Sequence, residues 1–173
     1  MATTATPEEI FKEHLHYEID MLLATFVRLL APVSDPVVAN ALIESFCIHG
    51  RNLDDFFLGR RGAKAEMYAN ASYTPYIGGR ISETLDKKLN TQIAHLSNAR
   101  TSDPTQKINP KDRLELLRTL LTEVHNFAKH LQSKYESLSR LAVYPTPPTT
   151  VGVGPTGPSS TNAITVVAST LVS

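Results

Sequence analysis

The chain has one cysteine, Cys47, no tryptophan and no net charge, with 17 lysines and arginines set against 17 aspartates and glutamates. A single thiol excludes an intrachain disulfide, and no cationic segment followed by an apolar one opens the sequence, so a reducing cytoplasm is the expected compartment. Balanced charge leaves no global field to draw the protein onto nucleic acid or an anionic membrane; a nucleic-acid role needs a local patch. Long hydrophobic runs are also missing. The most apolar stretch, Ala163 to Val172, is interrupted by Thr165, Ser169 and Thr170 and falls short of the ~20 apolar residues a spanning helix needs. No membrane partner is expected.

What the sequence does contain is helical punctuation. Thr6, Pro7 and Glu9 read as N-cap, first helical residue and capping-box carboxylate. Leu15, Ile19, Leu22, Leu23, Phe26, Leu29 and Leu30 then recur at helical spacing to about Ala31. Asp35 and Pro36 start a second helix, whose stripe Leu42, Phe46, His49, Leu53, Phe56 and Phe57 runs to a stop at Gly59. So short a turn makes the two helices antiparallel neighbours. A third helix is expected from about Ser82 to near Arg100 on Leu85, Leu89, Ile93 and Leu96, and a fourth from Asn109 and Pro110 to about Leu141. The fourth carries the stripe Leu114, Leu117, Leu121, Val124, Ala128, Leu131 and Tyr135.

The expected fold class is therefore all-α: a four-helix up-down-up-down bundle over residues 1–143, with a long loop between helices two and three. Residues 144–173 form a second region rich in proline, threonine, glycine, serine and valine, with no charge beyond Arg140, and read as a flexible low-complexity tail. Ala163 to Val172 has strand-like composition and could pair with an edge elsewhere.

Helix bundles often hold metals, so the histidines are tested first. Glu13 and His16 have the spacing of a di-iron motif, but that site needs a second Glu-x-x-His, and Glu123 and His125 stand two apart on different faces. His125 and His130 are five apart, roughly 140° around a helix. Neither pair can converge on one ion, and no metal or other cofactor is expected. Nucleophilic catalysis fares no better, since Cys47 and His49 lie on nearly opposite sides of helix two and no nucleophile elbow is present.

The segment that stands out is Ser45 to Phe57, SFCIHGRNLDDFF. His49 and Asn52 sit on its apolar face, where burial without partners would cost roughly 1–3 kcal/mol each. Arg51 lies on the other face, with Asp55 one turn on as an i,i+4 partner. Lys88, Gln92 and His95 line an edge of helix three. Two readings follow: His49, Asn52, Gln92 and His95 converge in a polar pocket with Arg51 or Lys88 at its mouth, or they form a buried network that fixes helix register.

Ala41 to Phe57, ALIESFCIHGRNLDDFF, together with Leu89 to Leu96, LNTQIAHL, resembles a set of uncharacterised bacterial helical proteins with a similar pair of motifs. These in turn resemble the HEPN superfamily of four-helix domains, many of which are metal-independent ribonucleases or inactive relatives. The resemblance implies an arginine and a histidine with four to six residues between them, the pair meeting its copy across a homodimer. Arg118 and His125 satisfy the spacing, with Thr119 where a polar Asn, Asp or His usually follows. Lys88 and His95 have the same separation, with a lysine that lacks the bidentate fork.

Two functions are carried forward. The first is a HEPN-like RNA-binding or RNA-cleaving protein, with His95, His49, Arg51 and Asn52 as candidate catalytic cluster and Arg118 and His125 as the alternative pair. RNA would be held by Arg60, Arg61, Lys64 and Arg80 in the tyrosine-bearing loop between helices two and three. The loop has a plainer reading too, as a cover packing its tyrosines over the bundle. The second function is a non-enzymatic interaction module, a homodimer or a binder of another protein, using apolar residues such as Cys47, Ile48 and Leu58 that lie off the main stripe of helix two.

Overall fold

The computed structural model describes residues 5–93, 103, 106–148, 152–153 and 164–165. The chain is all-α in character. The first helix begins as α1 (Pro7–Glu9), widens into a π-helical stretch at Ile10–Leu15 and continues as α2 (His16–Arg28). Thr6 and Glu9 close the capping box reciprocally. The helix ends a turn earlier than Ala31, with Leu29 as its C-cap.

Asp35 Oδ1 accepts from the amides of Val37 and Val38, and Pro36 opens α3 (Pro36–Phe57). Gly59 follows at φ +65°, the left-handed geometry that terminates helices and that glycine adopts without a Cβ penalty. Ser82 caps α4 (Glu83–Lys88), which runs on as a π-helical stretch, Leu89–Ile93; the rest of the expected third helix lies outside the described residues. Asn109 closes a capping box with Asp112 at the start of α5 (Pro110–Ala128).

The fourth helix was expected to reach Leu141, but α5 stops at Ala128 and a separate short α6 (Ser133–Glu136) follows. The reason lies in the backbone between them. The His130 carbonyl accepts from the Asn70 amide at 2.7 Å, the Gln132 amide donates to the Tyr68 carbonyl at 2.9 Å, and Ala69 and Leu131 form a β-bridge. Groups that would have continued the helix hold the loop instead.

α2, α3 and α5 pack on one another. Their shared core contains Phe11, Ile19, Leu22, Phe46, Leu53, Leu116, Leu120, Leu121 and Phe127, all nearly or fully buried, each contributing roughly 1.5–3 kcal/mol of burial. Gly50 brings α3 and α5 close: a Cβ there would stand 2.7 Å from Leu116 Cδ2. Tyr68 from the loop enters an aromatic cluster with Phe11, Phe56 and Tyr135. Tyr144, the first residue of the expected tail, is also buried. Farther on, Gly152–Val153 pairs antiparallel with Ile164–Thr165, so the strand-like end meets its own segment. Among the described residues no helix is long and apolar enough to cross a membrane.

The loop between α3 and α4 is pinned by two buried acids. Asp54, 4% exposed, accepts from Tyr76 Oη at 2.7 Å and from Arg80 Nε at 3.1 Å, while Arg80 Nη2 bridges its other oxygen to Asp86. Glu123, 2% exposed, accepts from Tyr73 Oη at 2.6 Å and from the Tyr76 amide at 2.8 Å. These bonds hold Tyr76 at φ +57°, a region that costs a non-glycine residue free energy. Removing one partner from a buried ion pair costs more than the pair itself is worth, because the other charge is stranded. Asp54→Ala should therefore lose about 3 kcal/mol or more in urea unfolding, whereas the double change Asp54→Leu, Arg80→Met should lose clearly less than the sum of the two single changes.

Candidate functional site

Residues from α2 and α3 build the polar cluster. His49 is 9% exposed, and its Nδ1 lies 2.7 Å from Glu18 Oε2. Asn52 Nδ2 donates to the same oxygen at 3.2 Å. The edge of the Tyr17 ring closes on His49 with centroids 5.6 Å apart. His49 and Asn52 thus meet on one carboxylate, Glu18, which was not among the four residues expected to converge. Asn52 is exposed rather than buried. His95 and the side chain of Gln92 lie outside the described residues. Lys88 turns away to α5, donating to Asp112 at 2.8 Å with both side chains largely buried.

Arg51 lines a cleft of about 320 Å³ with Cys47, Ile48, Asn52, Asp55 and Phe56 on α3, Arg61, Gly62 and Ala63 on the loop, and Leu89 after α4. The expected i,i+4 pair of Arg51 with Asp55 does not form, because Asp55 faces Arg60 and Arg61 at 3.9 and 3.6 Å. Arg51 makes no hydrogen bond or ion pair among the described residues. Cys47 at the cleft floor is 1% exposed, and burial pushes its thiol up to about 12, so it is a packing residue rather than a nucleophile.

The four loop cations divide into two kinds. Arg80 is committed: its hydrogen bonds to Asp54 hold the guanidinium firmly charged, and it cannot leave without stranding a buried acid. Arg60 and Arg61 stand 3.6–3.9 Å from their carboxylates, and Lys64 is 3.8 Å from Glu66. The three cations are 43–72% exposed, and long contacts made by such solvated side chains are worth roughly 0–1 kcal/mol; Asp54 keeps Arg80 and Tyr76 if Arg60 leaves, so these three side chains can be redirected to a phosphate at little cost. The tyrosines of the loop are not free to stack. Burial, followed by the hydrogen bond to Glu123, raises the Tyr73 phenol; burial and the Asp54 charge raise that of Tyr76. On α5, Arg118 is exposed, and His125 directs Nε2 to the Pro145 carbonyl at 3.2 Å.

A second polar centre was not foreseen. His16, 1% exposed, has Nδ1 3.1 Å from Tyr144 Oη and accepts on Nε2 from the Arg140 amide at 3.4 Å. Tyr144 Oη also donates to Asp20 Oδ1 at 3.0 Å, and Asp20 pairs with the Arg140 side chain. The ring is neutral here, with its proton on Nδ1. Burial, then the Arg140 charge, holds the His16 pKa below the ordinary histidine value. Residues 140–144 are thereby fastened to α2.

Compared with protein-family models, characterised proteins and solved structures, the chain matches none. The fold and site define an all-α protein with a clamped interhelical loop, a cleft beside α3 and a Glu–His–Asn cluster next to it.

His16 gives the chain a pH dependence of known sign. Its folded value is depressed, so as pH falls the unfolded chain takes up the proton first, and stability drops from the ordinary histidine range near ~6.5 downward. Thermal unfolding at pH 7.5 and 5.5 should show a lower Tm at the acid end, and His16→Gln should flatten that part of the profile.

Proposed function

We propose that this is a HEPN-like RNA-binding protein of the cytoplasm, its helical segments running as an up-down-up-down bundle, with metal-independent RNA cleavage as its activity. The observation that carries the reading is Arg51: a guanidinium with no carboxylate partner among the described residues, on the wall of a cleft whose other cation, Arg61, is only loosely held. An uncompensated arginine beside an open cleft is a receptor for an anion, and its planar fork suits phosphate. Arg60 and Lys64 extend the cationic rim along the loop. Arg80, expected to join them, serves instead to hold that loop in place, which makes it a structural support for the RNA-binding surface. His49 and Asn52 stand next to the cleft, because Asn52 both lines it and donates to Glu18. The weaker pair, Arg118 and His125, gains nothing from the fold, since His125 is engaged with Pro145.

One observation favours the second reading, a homodimeric interaction module. Ile48 and Tyr17 are 50% and 53% exposed, the first on the cleft and the second against His49, an apolar pair on the same side of the molecule as the candidate site.

The test is fluorescence anisotropy with a short single-stranded RNA at two salt concentrations, with EDTA-resistant cleavage followed on the same samples. Arg51→Ala should weaken binding by about 1–2 kcal/mol, roughly tenfold, and reduce the salt dependence by about one phosphate contact, without altering unfolding. If the protein binds no RNA while sedimenting as a dimer that Ile48→Asp dissociates, the interaction module is correct.

A further inference from the structure

We propose that Glu18 is a positioning residue that fixes His49 in the Nδ1–H tautomer, so that Nε2 carries the lone pair and forms a proton-transfer site one residue pair away from the cleft, which Asn52 but not His49 lines. A glutamate carboxylate can only accept hydrogen bonds, so the nitrogen 2.7 Å from Oε2 must be the donor. In the neutral ring the other nitrogen is then unprotonated. Among the described residues that atom has no partner, yet it is not sealed away: the buried side-chain polar atom left without a partner there is Tyr68 Oη, not a histidine nitrogen. Nε2 is therefore not fully sealed, although His49 as a whole is 9% exposed and has the Tyr17 ring against it.

The supports make this more than a chance pair. Glu18 is 24% exposed and His49 11% exposed in their side chains, so water does not compete freely for the bond. Asn52 donates to the same Oε2, which holds the carboxylate toward the ring. Tyr17 packs edge-on against the imidazole at an interplanar angle of 79° and limits its rotation. A base oriented through one nitrogen by a carboxylate and open at the other is the arrangement that proton-transfer sites use.

The substrate side of the inference rests on the RNA reading: Nε2 would take the proton of a hydroxyl on RNA held in the neighbouring cleft. The tautomer does not rest on it, and the experiment separates the two. Long-range ¹H–¹⁵N spectra of the full chain, labelled at histidine and recorded where the ring is neutral, read the protonated nitrogen of His49 directly. The expected result is Nδ1–H in the wild type, the minor form of a free histidine. Glu18→Gln, whose amide oxygen can still accept, should retain that form, and Glu18→Leu should shift the population toward Nε2–H with helicity unchanged. Should cleavage be found, Glu18→Leu should lower kcat with KM held, a split that loss of packing would not produce. An Nε2–H ring in the wild type, or the same tautomer in Glu18→Leu, overturns the assignment whatever happens with RNA. An Nδ1–H ring in a protein that never binds RNA upholds the tautomer lock and removes only its substrate.

Discussion

The ion pair between Asp54 and Arg80 is the constraint on which the rest of this structure depends. Asp54 lies near the end of α3, on the side that faces the core, and an unpaired carboxylate there would oppose folding. Arg80 supplies two donors and Tyr76 a third. Because Arg80 and Tyr76 come from the loop, satisfying this one acid folds back a segment of some twenty residues that would otherwise be free to wander. Glu123 repeats the device from α5 with Tyr73 and the Tyr76 amide. Two acids on two helices thus determine where the loop lies, and the loop in turn supplies Arg61, Gly62 and Ala63 to the cleft.

Helix starts were legible in the sequence because capping is local. Thr6, Asp35, Ser82 and Asn109 each accept from the amides of the turn that follows, and nothing distant is needed to infer it. The end of α5 was not legible, since it is decided by bonds between residues 68–70 and 130–132, far apart in the chain. Asp54 and Glu123 left a signal that could have been used. Glu123 shares a face with Leu116, Leu120 and Phe127, and Asp54 follows Leu53 beside Gly50 and Phe57; an acid among buried positions requires a donor from elsewhere. Glu18 and Tyr144 gave no comparable cue. Their partners, His49 and His16, lie 31 and 128 residues away.

The fold separates cations that composition groups together. Read from sequence, Arg60, Arg61, Lys64 and Arg80 form one basic patch. In the fold they differ in what would be lost on binding a phosphate: short hydrogen bonds to a buried acid for Arg80, and contacts of 3.6–3.9 Å made by exposed cations for the other three. Arg51, for which the sequence suggests Asp55 as a surface partner, has no carboxylate partner among the described residues. The chemistry of the region therefore concentrates on α3, where Arg51, Asn52 and His49 occupy neighbouring positions between the cleft and Glu18.

The claim that two buried acids clamp the loop is tested most directly by hydrogen exchange of the wild-type chain, read by mass spectrometry. The account predicts that peptides covering residues 68–80 and 128–132 exchange slowly and together, because the amides of Asn70, Tyr76 and Gln132 are held by bonds between the two segments or to Glu123. Exchange of residues 68–80 at the rate of an unstructured linker, with α5 protected, would contradict it.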